Sequence, residues 1–278
     1  MSDNVVTPLR RGNGTVQVIA VVNQKGGVGK TTTAINLATA LAAVGRQVLL
    51  IDLDPQGNAS TGLGIDRESR THSIYDVISG DITVDEATFE TAIPGLCLIP
   101  STVDLVGAEL ELVDVSRRST RLSDALDAAR RTGQLYRYDY VIIDCPPSLT
   151  LLTLNALVAA GSILVPLQCE FFALEGLSML LQTVRRVKVN FNPDLEIFGV
   201  VLTMFDRRNN LSHQVAADVR GVLGNKVFET VIPRNVRLSE APSHGKPALL
   251  YDFKCPGSQA YIQLAKEIIR REKPRQAA

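Results

Sequence analysis

The sequence predicts an α/β fold: a single domain with a mostly parallel, twisted sheet and helices on both faces. Three observations predict it. Short apolar runs recur at 18–22, 46–53, 96–99, 140–144, 162–167 and 197–203, as strands buried on both faces do. Segments of helical spacing alternate with those runs, the pattern of parallel strands joined by crossover helices. No linker-like stretch interrupts the alternation, so 278 residues, a length open to one or two domains, count as one. The domain spans 15–272, between a flexible N-terminal tail at 1–14 and a short C-terminal tail at 273–278.

The first strand, Val18 to Val22, runs into Asn23-Gln24-Lys25-Gly26-Gly27-Val28-Gly29-Lys30-Thr31-Thr32-Thr33 and then a helix from Ala34 to Leu41. Strand, glycine loop and helix start are the context of a phosphate-binding loop, which makes this a P-loop NTPase domain. Glycines let successive N–H groups converge on one anion, and the helix N-terminus adds its positive end. Lys30 is placed to reach the outer phosphates, and the Thr31 hydroxyl to ligate Mg²⁺. The common pattern has glycine six positions before its lysine. Here Gln24 stands there, followed by a second lysine, Lys25. An extra cation at the loop's start meets charge that arises elsewhere or later, on a facing protomer's γ-phosphate or in the transition state.

Lys25 to Thr32 resembles the deviant Walker A motif of the ParA/MinD class of ATPases. The resemblance implies that Lys25 acts across an ATP-sandwiched dimer, and that Gly26, Gly27, Val28, Gly29, Lys30, Thr31 and Thr32 bind the nucleotide.

Gly45 sits where the first helix ends, and Arg46 to Leu53 reads as the next buried strand. It closes in Asp52-Leu53-Asp54-Pro55-Gln56-Gly57-Asn58. Carboxylates at the C-terminal end of a parallel strand lie at the sheet edge where α/β ligands bind. Side-chain alternation points Asp52 and Asp54 the same way. In the ParA-like pattern Asp54 matches the aspartate that positions or activates the attacking water, and Asp52 an acidic residue near the Mg²⁺ shell. Further on, short helices are expected at Ile74–Ile78 and Val84–Phe89, a strand at Leu96–Ile99, and helices at Asp104–Leu112 and Leu122–Arg130. Arg117, Arg118 and Arg121 form a basic cluster, a solvated face or a secondary DNA or partner surface.

Tyr140-Val141-Ile142-Ile143-Asp144 is an apolar run ending in aspartate, the Walker B arrangement, which places Asp144 on the Mg²⁺ opposite Thr31. Pro146-Pro147 turn the chain out of the strand and open a helix over Leu149–Ala160. A strand at Ser162–Leu167, a long amphipathic helix at Leu174–Val189, a strand at Ile197–Thr203 and a helix ending near Leu223 follow. Asn225-Lys226 lacks the aspartate of a guanine-reading Asn-Lys-x-Asp, since Phe228 stands in its place, and this favours adenine. Val231 to Pro242 resembles the ParA/Soj family. There the segment lies over the adenine and along a DNA-facing surface, which implies Pro233 and Arg234 near base and ribose and Arg208 and Arg237 in non-specific DNA binding. The last helix, Pro256 to Glu272, ends in basic residues that complement its dipole and fit a phosphate-binding stripe.

Composition bounds the function. Hydrophobic residues make up 45% and charged residues 21%, and Lys+Arg equals Asp+Glu at 29 each, so attraction to nucleic acid must come from a local patch. Four scattered cysteines with no secretory signal read as reduced thiols of a cytoplasmic protein. They exclude the paired cluster ligands of an iron–sulfur relative. No apolar run nears the roughly 20 residues that span a bilayer. The C-terminal Lys273 to Ala278 lacks the bulky apolar residues of a membrane-targeting helix, against a MinD-like role. The resemblance, over residues 16 to 272, implies a DNA-partitioning ATPase using ATP and Mg²⁺, associated with the nucleoid. Its ATP-bound homodimer binds double-stranded DNA non-specifically, and a ParB-like centromere-binding protein stimulates hydrolysis and releases it. Positioning a protein cluster on the nucleoid is the alternative use of the same cycle.

Overall fold

The computed structural model describes residues 16–112 and 115–272. The tails expected at 1–14 and 273–278, with the basic residues of the latter, lie outside the described residues. The first half alternates β1 (Gln17–Val21), α1 (Lys30–Ala43), β2 (Val48–Asp52), α2 (Asn58–Gly62), α3 (Ile74–Ser79), β3 (Phe89–Glu90), β4 (Leu96–Ile99), α4 (Leu105–Glu111) and α5 (Arg121–Arg131). The second continues with β5 (Tyr140–Asp144), α6 (Leu151–Ala159), β6 (Ser162–Gln168), α7 (Ala173–Asn190), β7 (Glu196–Phe205), α8 (Asn210–Leu223), β8 (Val227–Pro233), α9 (Val236–Glu240), α10 (Ala248–Tyr251) and α11 (Pro256–Glu272).

The strands form one sheet in the order β3-β4-β2-β5-β1-β6-β7-β8, parallel except for β3. Period-two alternation divides the core. Val18, Ala20, Val141 and Ile143 face a layer built with α3 to α8. Ile19, Val21, Tyr140 and Ile142 face the opposite layer of α1, α2, α9, α10 and α11. Both faces of β1, β2 and β5 are therefore dry, which is why these strands read as continuous apolar runs. β1 lies between β5 and β6, so the loop after it opens where the chain's course along the sheet reverses, the crevice in which α/β folds seat ligands.

One expected helix is absent. Val84–Phe89 is a single turn followed by β3, with Phe89 paired antiparallel to Leu98. Thr83 and Glu86 close the turn on themselves, both the N–H and the hydroxyl of Thr83 donating to the Glu86 carboxylate at 2.8 Å. The equally short α3 is held by a capping box between Ser73 and Asp76, whereas here Phe89 and Glu90 gain a strand partner in β4 instead. Elsewhere the expected helices and strands are present, with ends that coincide or shift by up to four residues, the largest shift being the start of α1 at Lys30 in place of Ala34. β8 at the far edge, with α9 and α10 after it, gave no periodic signal, because these elements are short and only partly buried.

Candidate active site

The glycine loop is held from both sides of β1. Asn23 donates its side-chain amide to the Pro166 carbonyl on β6 at 2.7 Å and accepts from the Lys25 N–H at 3.0 Å. On β7, the Thr203 hydroxyl donates to the Val28 carbonyl at 2.9 Å. Gly27 and Gly29 take φ of 74° and 88°, left-handed conformations that curl the loop and that glycine adopts without strain. No side chain caps the N-terminus of α1, so its first N–H groups face the loop's interior with anion-binding capacity intact. The loop borders a cavity of about 610 Å³ lined by Gly26, Gly27, Gly29, Lys30, Thr31, Thr32 and Asp54, with Pro146, Pro147 and Met204 among the opposing walls.

The two lysines are in different settings. Lys30 is buried and folds over the loop, its Nζ donating to the Lys25 carbonyl at 3.0 Å. Burial lowers its pKa, while Asp144 and Asp54 favour its charged form. Lys25 is half exposed and ion-paired with Glu170, in the connection between β6 and α7.

Asp144 and Asp52 are register partners at the ends of adjacent strands, and both are fully buried. Among the described residues neither carboxylate oxygen of Asp144 has a hydrogen-bond partner. Burial and then the neighbouring Asp52 push its pKa well above the usual carboxylate range, and the nearby Thr31 hydroxyl and Lys30 act against that rise. An ionisable group so buried and unpartnered is costly unless something else completes it. Asp52 is the opposite case. Its carboxylate accepts the Ser60 N–H at 2.8 Å, the Ser60 hydroxyl at 2.6 Å and the Asp54 N–H at 3.3 Å. Burial nevertheless raises its pKa to about 6, against those hydrogen bonds.

Asp52 and Asp54 do not point the same way. β2 ends at Asp52, so strand alternation does not reach Asp54. Asp52 turns back to hold α2, while Asp54 lines the cavity and accepts the Gln56 N–H at 2.9 Å.

Pro233 and Arg234 do not line the glycine-loop cavity. They border a second one of about 770 Å³ with Phe205, Asp206, Arg207 and Asn235. The two cavities diverge at consecutive β7 residues, Met204 on the first and Phe205 on the second. Met204 has a left-handed φ of 50° at a register shift, a bulge that re-aims its side chain.

The arginines divide likewise. Arg208 is 93% exposed at its side chain, with one distant pairing to Asp206 at 3.5 Å. Arg237 is committed to Glu240 at 2.8 Å and to Asp252 at 3.5 Å. Arg121 of the basic cluster ties to the Ile78 and Ser79 carbonyls at the end of α3, and Arg117 pairs with Asp124, so these two are structural. At the basic end of α11, Arg271 donates to the Asn225 and Val227 carbonyls, so its guanidinium is engaged within the fold. Asn23, Thr203 and Glu170 escaped sequence reasoning, since each acts on the loop from more than 140 positions away or through an unremarked neighbour.

A family model described as an AAA domain matches residues 16–197. The chromosome partitioning protein ParA of Caulobacter vibrioides is 63% identical over 94% of this chain and 97% of its own length. The sporulation initiation inhibitor protein Soj of Bacillus subtilis is 53% identical over 91% of this chain and 98% of its own. Among solved structures, a cobyrinic acid a,c-diamide synthase from Mycobacterium smegmatis with bound ADP and magnesium superposes with a TM-score of 0.80 at 39% identity, covering 93% of this chain and 96% of that one. The partitioning relatives are more alike in sequence over the same extent. The glycine loop with its two lysines, the paired strand-end aspartates and this likeness place the chain in the ParA/Soj family of chromosome-partitioning ATPases.

Proposed function

We propose that the chain is a Mg²⁺-dependent ATPase whose ATP-bound sandwich dimer binds double-stranded DNA without reading sequence. A ParB-like partner then stimulates hydrolysis and releases it. The observation that carries the chemistry is the Asp144 carboxylate, buried, unpartnered and beside Thr31 at the glycine loop. That donor set fits Mg²⁺, which takes hard oxygen ligands and is held in nucleotide sites by one or two protein oxygens plus phosphates. Thr31 and Asp144 would hold the ion, with Asp52, already saturated by Ser60, behind them. Bound there, Mg²⁺ would neutralise charge on the phosphate oxygens.

The protein's own groups do the rest. The N–H groups from Gly26 to Thr32 and the Lys30 ammonium cradle the phosphates, and Asp54 orients the attacking water from the facing wall. Lys25, contributed to the opposite protomer, meets the charge that develops on the transferred phosphoryl group. For Pro233 and Arg234 to flank adenine and ribose, the nucleotide would extend past Met204 and Phe205 from the glycine-loop cavity into the neighbouring one. Arg208, exposed and weakly paired, and Arg237, once released from Glu240 and Asp252, contact backbone phosphates. This reading supports a nucleoid-associated protein of the cytoplasm. Among the described residues no helix is long and apolar enough to cross a membrane, and the cycle needs none.

Asp144→Asn tests the site. Nucleotide affinity of the unsubstituted protein should rise with Mg²⁺. In the variant that dependence should vanish and ATP turnover should fall by about a hundredfold or more. Turnover at the unsubstituted rate would overturn the assignment.

A further inference from the structure

We infer that Arg70 is a positioning residue that fixes the Asp54 turn against the end of β4, and through it sets where the Asp54 carboxylate stands in the nucleotide cavity. The inference rests on the role proposed for Asp54.

Arg70 lies between α2 and α3, away from the glycine loop and outside the cavity lining. It is 8% exposed, unusual for an arginine with no direct carboxylate partner among its hydrogen bonds. Its guanidinium fork is spent on one small region. Nη1 donates to the Ser101 carbonyl at 2.9 Å, Nη2 to the Thr61 hydroxyl at 2.8 Å, and Nε and Nη2 to the Ile65 carbonyl at 3.2 and 2.9 Å.

The turn carrying Asp54 rests directly on that fork. A Cβ added at Gly57 would stand 2.4 Å from Arg70 Nη1 and 3.1 Å from the Ser101 carbonyl. Gly57 closes the turn by donating its N–H to the Asp54 carbonyl at 2.9 Å, and its own carbonyl accepts the Thr61 hydroxyl at 3.0 Å. A chain of contacts therefore runs from Arg70 through Thr61 and Gly57 to Asp54. A second one runs beside it. Ser60, which holds Asp52, accepts the Ser101 N–H at 3.1 Å, so both polar groups of the Ser101 backbone are clamped to this corner. A buried cation is an expensive way to brace a loop where an apolar contact would do. Its planar, directional fork makes four hydrogen bonds to three acceptors and suits a turn that must hold one geometry, whereas lysine's three donors sit on one compact ammonium that does not match the fork.

The test compares Arg70→Met and Arg70→Lys with the unsubstituted protein by ATP kinetics, ADP affinity and amide hydrogen exchange of the nucleotide-free chain. In Arg70→Met, kcat should fall about tenfold, with KM and ADP affinity held within about twofold. Exchange should rise across 54–61 but not across the glycine loop. Arg70→Lys should recover thermal stability more fully than kcat. Thr61→Val, which keeps the buried cation and removes one link, should lower kcat by about threefold and serves if Arg70→Met does not fold. Unchanged kcat in folded variants, or loss of ADP affinity and loop protection in step with kcat, would overturn the inference. If Asp54→Ala turns over at the unsubstituted rate, the Asp54 reading fails and takes this one with it. If Asp54→Ala is inactive while Arg70→Met keeps full kcat, only the Arg70 inference fails.

Discussion

At the scale of single residues the site is a set of charges arranged for a partner. Asp144 beside Asp52 is unfavourable for the isolated chain, because two carboxylates at register positions in a dry sheet repel and neither oxygen of Asp144 is hydrogen-bonded. Asp144→Asn should therefore raise the melting temperature of the nucleotide-free protein by a few degrees, about 1 kcal/mol or more, in the same variant that loses turnover. Differential scanning calorimetry without Mg²⁺ or nucleotide reads that shift, and a fall in its place would mean that the carboxylate is structurally satisfied. Lys25 presents a second test. Its ammonium is engaged by Glu170, so reaching a facing protomer requires that pair to open. Glu170→Gln should ease release and strengthen ATP-dependent dimerisation by about two- to fivefold, while Lys25→Ala should abolish hydrolysis and leave ADP affinity within about threefold. Analytical ultracentrifugation with ATP and with ADP separates the two. Both lysines, the loop and Asp144 stood out in the sequence because each belongs to a local motif, while the role of Lys25 across a dimer rests on the family resemblance. The pairing of Lys25 with Glu170 was not legible, since 145 positions separate the partners and nothing local marks it.

At the scale of elements, β8 depends on α11. Glu267 accepts the Glu229 and Thr230 N–H groups at 2.9 and 3.0 Å and pairs with Arg271 at 2.7 Å, which joins the last helix to the edge strand. Burial alone would push its carboxyl up, but those N–H donors and the Arg271 charge outweigh burial and hold it below the ordinary glutamate value. A depressed carboxylate pKa stabilises the fold above the unfolded value, near pH 4.3, and that contribution is lost as pH falls through the folded value. Glu267→Gln should destabilise the protein by about 1–3 kcal/mol at pH 7, and the gap should close in acid below pH 4. Urea titrations at both pH values check it, and a constant gap would contradict the linkage. The elements also show where sequence reasoning stops. Central strands such as β1, β2 and β5 announce themselves by continuous apolar runs, since both faces are covered. Edge elements do not, because half of each faces solvent and pairing rather than composition fixes them, as with β3 over Phe89 and Glu90. Asp52 and Asp54 were both legible near the strand end, but their different partners follow from β2 ending at Asp52, a boundary that composition does not mark.

At the scale of the molecule, formal charge is zero, so any affinity for DNA must come from a few cations held on one face, which the proposed ATP-bound dimer would present twice, and must weaken steeply with salt. Each phosphate contact contributes about 0.9 to the logarithmic salt slope, so Arg208→Ala should reduce that slope by about one and lower affinity alike on every sequence. Arg237 should contribute only where Glu240 and Asp252 release it. The most direct measurement of this account is binding to a random-sequence duplex with ATP, with ADP and without nucleotide at several salt concentrations. Asp54→Ala, as a hydrolysis-defective form, and Arg237→Glu, as a charge reversal, would be measured alongside. The account predicts binding only with ATP, steep salt dependence, persistence in Asp54→Ala and loss in Arg237→Glu. Absence of DNA binding in every nucleotide state, or binding indifferent to nucleotide, would contradict it.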